Sequence, residues 1–324
     1  MDLPWIEKYR PCALDEVISQ LDISKTLSKF IEQGRLPHLL FYGPPGTGKT
    51  STILATAKTL YPAKELNSMV MELNASDARG INVVREQILS FASTKMLFAG
   101  KFKLVILDEA DSMTKDAQNA LRRIIEKYTE NTRFCLICNY ISKIIPAVQS
   151  RCTKFRFAPI GFSQMSPRLH QIAANENVLL TDNGVKAIHR FAAGDMRKAI
   201  NLMQSAAMSA PQIDEASVYA CVGYPTVGEI QSLTDWMLNE PIESAYTKIL
   251  RTKSSKGIAL QDIVTELHPL IMKIDMPDQL RCDLLISLAE IEHRMSIGAS
   301  EHLQLGALVA AFSATKSRLE SMRP

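Results

Sequence analysis

Phe41-Tyr42-Gly43-Pro44-Pro45-Gly46-Thr47-Gly48-Lys49-Thr50 decides the fold. It reads G-x-x-x-x-G-K-T, and its flanks suit that pattern. Leu39 to Tyr42 is a short apolar, strand-like run, and the stretch from Ser51 to Leu60 places Ile53, Leu54, Ala57 and Leu60 at helical spacing. A strand, a glycine-rich turn and a helix N-terminus form an anion cradle. Bare backbone N–H groups and the positive end of the helix dipole face the same point. Gly43, Gly46 and Gly48 let the backbone close around phosphate oxygens, with Pro44, Pro45, Thr47 and Ser51 completing the binding loop. Lys49 reaches the outer phosphates, and the Thr50 hydroxyl is placed to ligate Mg²⁺.

Upstream, Trp5 to Pro11 mixes two aromatics with charges and a closing proline, which predicts an extended segment. Residues 23–33 form an amphipathic helix stopped by Gly34. Downstream, residues 69–73 read as a second strand and residues 79–91 as a helix. Lys103-Leu104-Val105-Ile106-Leu107 is a near-continuous apolar strand of the kind found inside a parallel sheet. Thr114 is a helix N-cap, residues 133–139 are a strand, and residues 154–157 are a last one. Strands alternate with helices throughout, which predicts an α/β domain with a mainly parallel sheet. After Pro159 the strand signals stop. Residues 167–175 and 184–193 and a stretch from Gly194 read as a small helical domain, and helices resume near Ile230 after the turn-rich Gly223–Gly228 stretch. The resulting division is 1–160, 161–224 and 225–324.

Asp108 follows the apolar strand and would lie beside the phosphate loop in such a sheet, where a carboxylate holds Mg²⁺. Glu109, one residue on, is the candidate general base for an attacking water. Asn139 ends the next strand and can orient that water or touch the γ-phosphate. Arg151, in Ser150-Arg151-Cys152, has no evident use in its own site and is suited to complete a neighbour's. Arg197 opens a helix of the small domain; spacing alone makes it an ordinary surface residue.

The chain has 324 residues and a formal charge of +3. No apolar run reaches the roughly 20 residues of a membrane span, and the N-terminus lacks the pattern of a signal peptide, so an intracellular location is expected. Residues 1–160 hold 22 Lys and Arg against 16 Asp and Glu, while the remainder holds 15 against 18. The nucleotide-binding part is therefore the basic part, which permits a polyanionic partner. Six cysteines are scattered. Cys135 and Cys138 fall on a strand, where residues three apart face opposite sides, so they read as buried thiols rather than metal ligands.

Taken together, the segments Leu3–Pro11, Gly43–Thr50, Glu72–Asp77, Leu107–Asp111, Ser150-Arg151-Cys152 and Gly194–Arg197 resemble the AAA+ ATPases, and within them the small subunits of eukaryotic replication factor C, the sliding-clamp loader. The resemblance spans residues 3–200. It implies an α/β P-loop AAA+ domain, a small helical lid and a C-terminal all-α collar, binding ATP with Mg²⁺. Lys49 and Thr50 match the Walker A pair, and Asp108 and Glu109 the Walker B pair. Asn139 matches sensor 1, Arg197 sensor 2, and Arg151 the arginine finger given in trans. Ile6, Tyr9, Arg10, Val17 and Ile18 are the implied adenine-side residues. Ala78 departs from the pattern, standing where the family usually has an acid.

The implied setting is the nucleus, in a heteropentamer with one large and three further small subunits. Its implied partners are the ring clamp PCNA and primer–template DNA, with no membrane. Helix starts at Arg79, with Arg85 further on, and at Thr114-Lys115 are the expected contacts to the DNA backbone. Met96, Leu97 and Phe98 form either an apolar anchor for the clamp or part of the domain core. A homohexameric helicase loader and a non-hydrolysing scaffold are the competing readings. The WIEKYRP start, the Arg151 segment and Arg197 weigh against the first, and Glu109 with Asn139 weighs against the second.

Overall fold

The computed structural model describes residues 3–18, 20–75, 81–94 and 102–321, apart from the side chains of residues 21 and 81–85. The chain divides into two compact units, Met1–Gln212 and Ile213–Pro324.

The first unit opens with α1 (Trp5–Lys8), α2 (Leu21–Glu32), β1 (Leu39–Tyr42) and α3 (Lys49–Leu60). Then come α4 (Leu66–Met69), β2 (Val70–Asn74), α5 (Ile81–Ser93), β3 (Lys103–Asp108), α6 (Lys115–Tyr128) and β4 (Thr132–Cys138). It continues through α7 (Pro146–Gln149), β5 (Thr153–Arg156), α8 (Phe162–Asn175), β6 (Leu179–Leu180), α9 (Asp182–Ala192) and α10 (Met196–Ser209). A further two-residue strand, β7, is Gln212–Ile213.

Five parallel strands lie in the order β2-β3-β4-β1-β5. Both faces are dry. Leu39, Phe41, Leu104, Ile106, Cys135 and Ile137 pack on one side with Leu27 of α2 and Ile53 of α3. Leu40, Val105, Leu107, Phe134, Leu136 and Cys138 pack on the other with Ile88 of α5 and Leu121 of α6. Cys135 and Cys138 thus face opposite sides of the sheet, as strand periodicity requires. Burial pushes the Cys138 thiol up to about 12, and that of Cys135 well above its ordinary value.

A strand that is apolar on both faces gains little register information from alternation. Its ends supply it. At the start of β3, the Lys103 ammonium donates to the Phe91 carbonyl at the end of α5. At the other end, Asp108 accepts from Thr50 of α3. A one-residue slip would break both and draw a carboxylate into the core, at a cost of several kcal/mol.

Three expectations are corrected. Trp5 to Lys8 forms one helical turn, closed by Tyr9 N–H donating to the Trp5 carbonyl. Pro11 restricts only Arg10, and Pro4 presets the turn at the N-cap. α8 begins at Phe162, with Pro167 inside it rather than at its start. Met165, one turn ahead of buried Leu169, is itself fully buried, and that packing extends the helix past the proline. Finally, strands do not stop at Pro159, since β6 and β7 follow, each only two residues long.

The second unit is helical: α11 (Glu215–Val222), α12 (Val227–Asn239), α13 (Ile242–Lys256), α14 (Leu260–Ile271), α15 (Asp278–Ser296) and α16 (Glu301–Ser321). Its core joins Leu233, Ile249, Leu267, Leu288, Leu308 and Phe312. Two of these helices begin on reciprocal capping boxes, Asp214–Ser217 at α11 and Thr226–Glu229 at α12. No helix among the described residues is long and apolar enough to cross a membrane.

Candidate nucleotide site

The loop between β1 and α3 lies where β1 ends between β4 and β5. Gly43, Gly46 and Gly48 all have positive φ, at 141°, 66° and 91°. At Gly43 a side chain would also strike the Phe157 carbonyl, which a Cβ would approach to 2.1 Å. The helix therefore begins at Lys49, two residues before the Ser51 start that spacing suggests, with Gly48 as its left-handed N-cap.

Lys49 is 7% exposed, and its ammonium is fully engaged. It donates to the carbonyls of Gly43 and Pro44, both at 2.7 Å, and to Asn139 Oδ1 at 3.1 Å. Burial lowers its pKa, Arg197 adds to that, and Asp108 opposes it. A phosphate entering here would meet a desolvated cation held by neutral oxygens, which it can displace because anionic oxygen is the stronger partner.

The Asp108 carboxylate is held at both oxygens. Oδ2 accepts from Thr50 Oγ1 and Oδ1 from the Glu109 backbone N–H, each at 2.8 Å. Glu109 itself sits in the left-handed region, with φ 53°. That conformation is costly for a non-glycine residue. It turns the chain sharply off β3 and leaves the Glu109 side chain exposed while Asp108 faces Thr50. Asn139 follows β4, and its N–H, with that of Tyr140, donates to Asp111 Oδ2 at 3.3 Å. Thr50 and Asp108 offer paired hard oxygens that fit Mg²⁺. No cluster of three His, Cys, Asp or Glu side chains able to hold a metal occurs among the described residues. A site with so few protein ligands suits an ion that arrives with phosphate oxygens.

α10 closes the loop from above. Asp195 caps it, accepting from the N–H groups of Arg197 at 2.8 Å and Lys198 at 3.2 Å. Met196 N–H then donates to the Gly46 carbonyl. These contacts bring Arg197 to the same cavity of about 290 Å³ as Lys49, Thr50, Asp108, Glu109 and Asn139. Pro45 to Gly48 and Ser51 form its floor, and Ile6, Tyr9, Arg10, Val17 and Ile18 line it as well. Sequence reasoning missed Ile160, Arg168, Met196 and Ile200, which share that wall. Ile160 and Ile200 carry only generic core character, and Arg168 belongs to no motif.

Arg151 is not part of this cavity. It follows α7, where its guanidinium pairs with Glu126 Oε1 at 2.6 Å and donates to the Ala147 carbonyl. Arg122 shares the same Glu126 oxygen. Thr114 caps α6 by accepting from Ala117 N–H, with Lys115 exposed beside it. Arg79, the Arg85 side chain, Ala78, and Met96, Leu97 and Phe98 lie outside the described residues.

A five-stranded parallel sheet with a phosphate loop, strand-end carboxylates and a helical lid defines an AAA ATPase. The family model for the ATPase family associated with various cellular activities matches residues 39–160. The fold is also that of the Thermotoga maritima RuvB Holliday junction branch migration motor, with a TM-score of 0.53 at 18% identity over 77% of this chain and 86% of that one. The model for the replication factor C C-terminal domain matches residues 225–311. The chain is 57% identical to mouse replication factor C subunit 5, covering 97% of this chain and 93% of that protein. It is 49% identical to replication factor C subunit 3 of Schizosaccharomyces pombe, over 95% and 90%. The chain belongs to the replication factor C subunit family.

Proposed function

We propose that the chain is an ATP-hydrolysing small subunit of a heteropentameric loader that opens the ring clamp PCNA and sets it on primer–template DNA in the nucleus. One observation carries this reading. A single cavity gathers Lys49, Asp108, Glu109, Asn139 and Arg197, while Arg151 stands outside it on an exposed ion pair. A site arranged in this way binds nucleotide alone and hydrolyses it fast only beside a neighbour, as a switch should.

In the reaction, a water oxygen bonds to the γ-phosphorus and the bond to the β–γ bridging oxygen breaks. Glu109 takes the water proton. Lys49 and Arg197 draw the developing charge on the phosphoryl oxygens, and Asn139 orients the water. Arg151 serves the adjoining subunit's site. Mg²⁺ held by Thr50 and Asp108 would neutralise phosphate charge. The N-terminus of α6, with Thr114 and Lys115, together with Arg79 and Arg85, is assigned to the DNA backbone. Such contacts carry no sequence readout and weaken steeply with salt. Met96, Leu97 and Phe98 are assigned to the clamp.

The test is the native mass and composition of the complex that co-purifies with this chain. One large and four different small subunits, retaining a ring clamp when ATP is present, is the expected result. A symmetric homo-oligomer without a clamp would overturn the loader reading and leave only the ATPase chemistry.

A further inference from the structure

One wall of the nucleotide cavity depends on a segment that cannot hold itself in place. α1 is four residues long, far below the length at which a helix is stable alone. It has no fully buried side chain, so apolar packing fixes it only in part. Its seat is a set of polar bonds to α8 and α10, more than 150 residues away in sequence. Trp5 N–H donates to Gln204 Oε1 at 3.3 Å. The Lys8 ammonium and the Tyr9 hydroxyl both donate to Glu176 Oε1, at 2.7 and 2.5 Å. Arg168 Nη2 donates to the Tyr9 carbonyl at 3.0 Å, while its Nη1 is tied to Gln171 at 2.8 Å.

Glu176 is badly placed for its own helix. It is the C-cap of α8, where unpaired carbonyls already present negative charge and a carboxylate is unfavourable. Lys8 and Tyr9 are what offset this. Arg168 is likewise committed: with both terminal nitrogens engaged, it serves to fix the backbone of Tyr9. Ile6 and Tyr9, held this way, face the cavity with Ile18, Ile160 and Ile200, an apolar wall suited to a purine base rather than to phosphate.

We propose that Glu176 and Arg168 are positioning residues that fasten residues 5–9 onto α8 as the closing wall of the cavity, and thereby set how tightly a purine nucleoside triphosphate is retained. The proposal rests on the cavity being a nucleotide site. It separates two tasks within that site. Asp108 and Glu109 govern bond cleavage, Lys49 holds the phosphates, and the Glu176–Arg168 pair governs retention from the base end.

The experiment titrates the full chain with an ATP analogue carrying a fluorescent group on the ribose. Tryptic cleavage after Lys8 is followed in parallel. Arg10 is no competing site, because trypsin does not cut before Pro11. Glu176→Ala and Arg168→Ala are each expected to raise the Kd roughly three- to tenfold, the range for partly exposed charge-assisted bonds. Each should also remove the protection that nucleotide gives Lys8. Glu176→Gln, which keeps an acceptor for Tyr9, should recover most of the affinity. In the assembled complex KM should rise while kcat stays within roughly twofold. Wild-type Kd and full protection of Lys8 in both alanine variants would overturn the proposal, as would a loss of kcat with Kd unchanged. If the wild-type chain bound the analogue no better than Lys49→Ala, the nucleotide reading itself would fail instead.

Discussion

Replacing Gly46 with alanine should uncouple the phosphate loop from the lid helix, and the size of the effect follows from the geometry. Gly46 has φ +66°, and a Cβ built there lies 1.7 Å from Asp195 Oδ1 and 2.2 Å from its Cγ. Asp195 cannot simply swing away. It is 9% exposed, and its Oδ1 holds the second and third amides of α10, those of Arg197 and Lys198. The left-handed conformation costs an alanine about 1–2 kcal/mol. Displacing the cap costs roughly another 1 kcal/mol. Together these amount to about 2–3 kcal/mol, or a fall of roughly 5–10 °C in the melting temperature of the first unit. Calorimetry of the full chain gives the number. Gly306→Ala, at a helical glycine whose Cβ would meet nothing within 4 Å, is the control and should leave the melting temperature unchanged or raise it. Asp195→Ala supplies the decisive comparison. If the clash works through the cap, the double variant loses less than the two single losses added, because the cap can be lost only once. Strict additivity, or a Gly46→Ala melting temperature within about 1 °C of wild type, would refute the reasoning.

Glu109→Gln keeps a side chain of the same shape but removes the base. ATP binding should persist while hydrolysis at this site falls by about 10²–10⁴; turnover near wild type would move the base elsewhere. Arg151→Ala should depress hydrolysis in the neighbouring subunit's site by about 10³ and spare its own. Complexes with one competent site distinguish the two, and loss in the chain's own site would contradict the trans assignment. His38 is buried with Nδ1 accepting from Phe134 N–H, and burial, reinforced by Arg133, holds its pKa down to about 4. Its ordinary value is 6.5, so the unfolded chain binds the proton first. Stability should be complete above about pH 6.5 and decline toward pH 4 by roughly 1.4 kcal/mol per unit from this group. Urea melts across that range should flatten in His38→Gln, and an unchanged slope would show that another group is responsible.

The phosphate loop and β3 were legible because their chemistry is local. A glycine pattern needs no partner to be recognised, and a run such as Leu104-Val105-Ile106-Leu107 has few places to go except between two layers. Thr114 announced its helix for the same reason, since a cap acts within four residues, whereas Thr226, read as part of a turn-rich stretch, caps a helix that starts three residues before the expected Ile230. Asp108 was singled out because it ends an apolar strand; β4 lies between that strand and β1, and it is the Thr50 hydroxyl at the start of α3 that reaches the carboxylate. The errors were local conflicts resolved from a distance. Pro167 argues against helix on its own terms, and the buried positions of Met165 and Leu169 overrule it.

The lid side of the cavity was illegible for a different reason. Glu176 and Arg168 look like ordinary charges on a solvated helix, and nothing in their neighbourhood distinguishes them from Arg190 or Glu215. Their meaning lies in Tyr9, which is 167 residues from Glu176 and donates to it. A polar pair of this kind leaves no periodicity, because each half satisfies the pattern of its own segment. What the sequence does contain is a small inconsistency, a carboxylate at the C-cap of α8, where the helix would prefer a cation. Charges set against their helix dipole are thus useful pointers. They call for a partner from outside the element, and here that partner closes the wall of the nucleotide site.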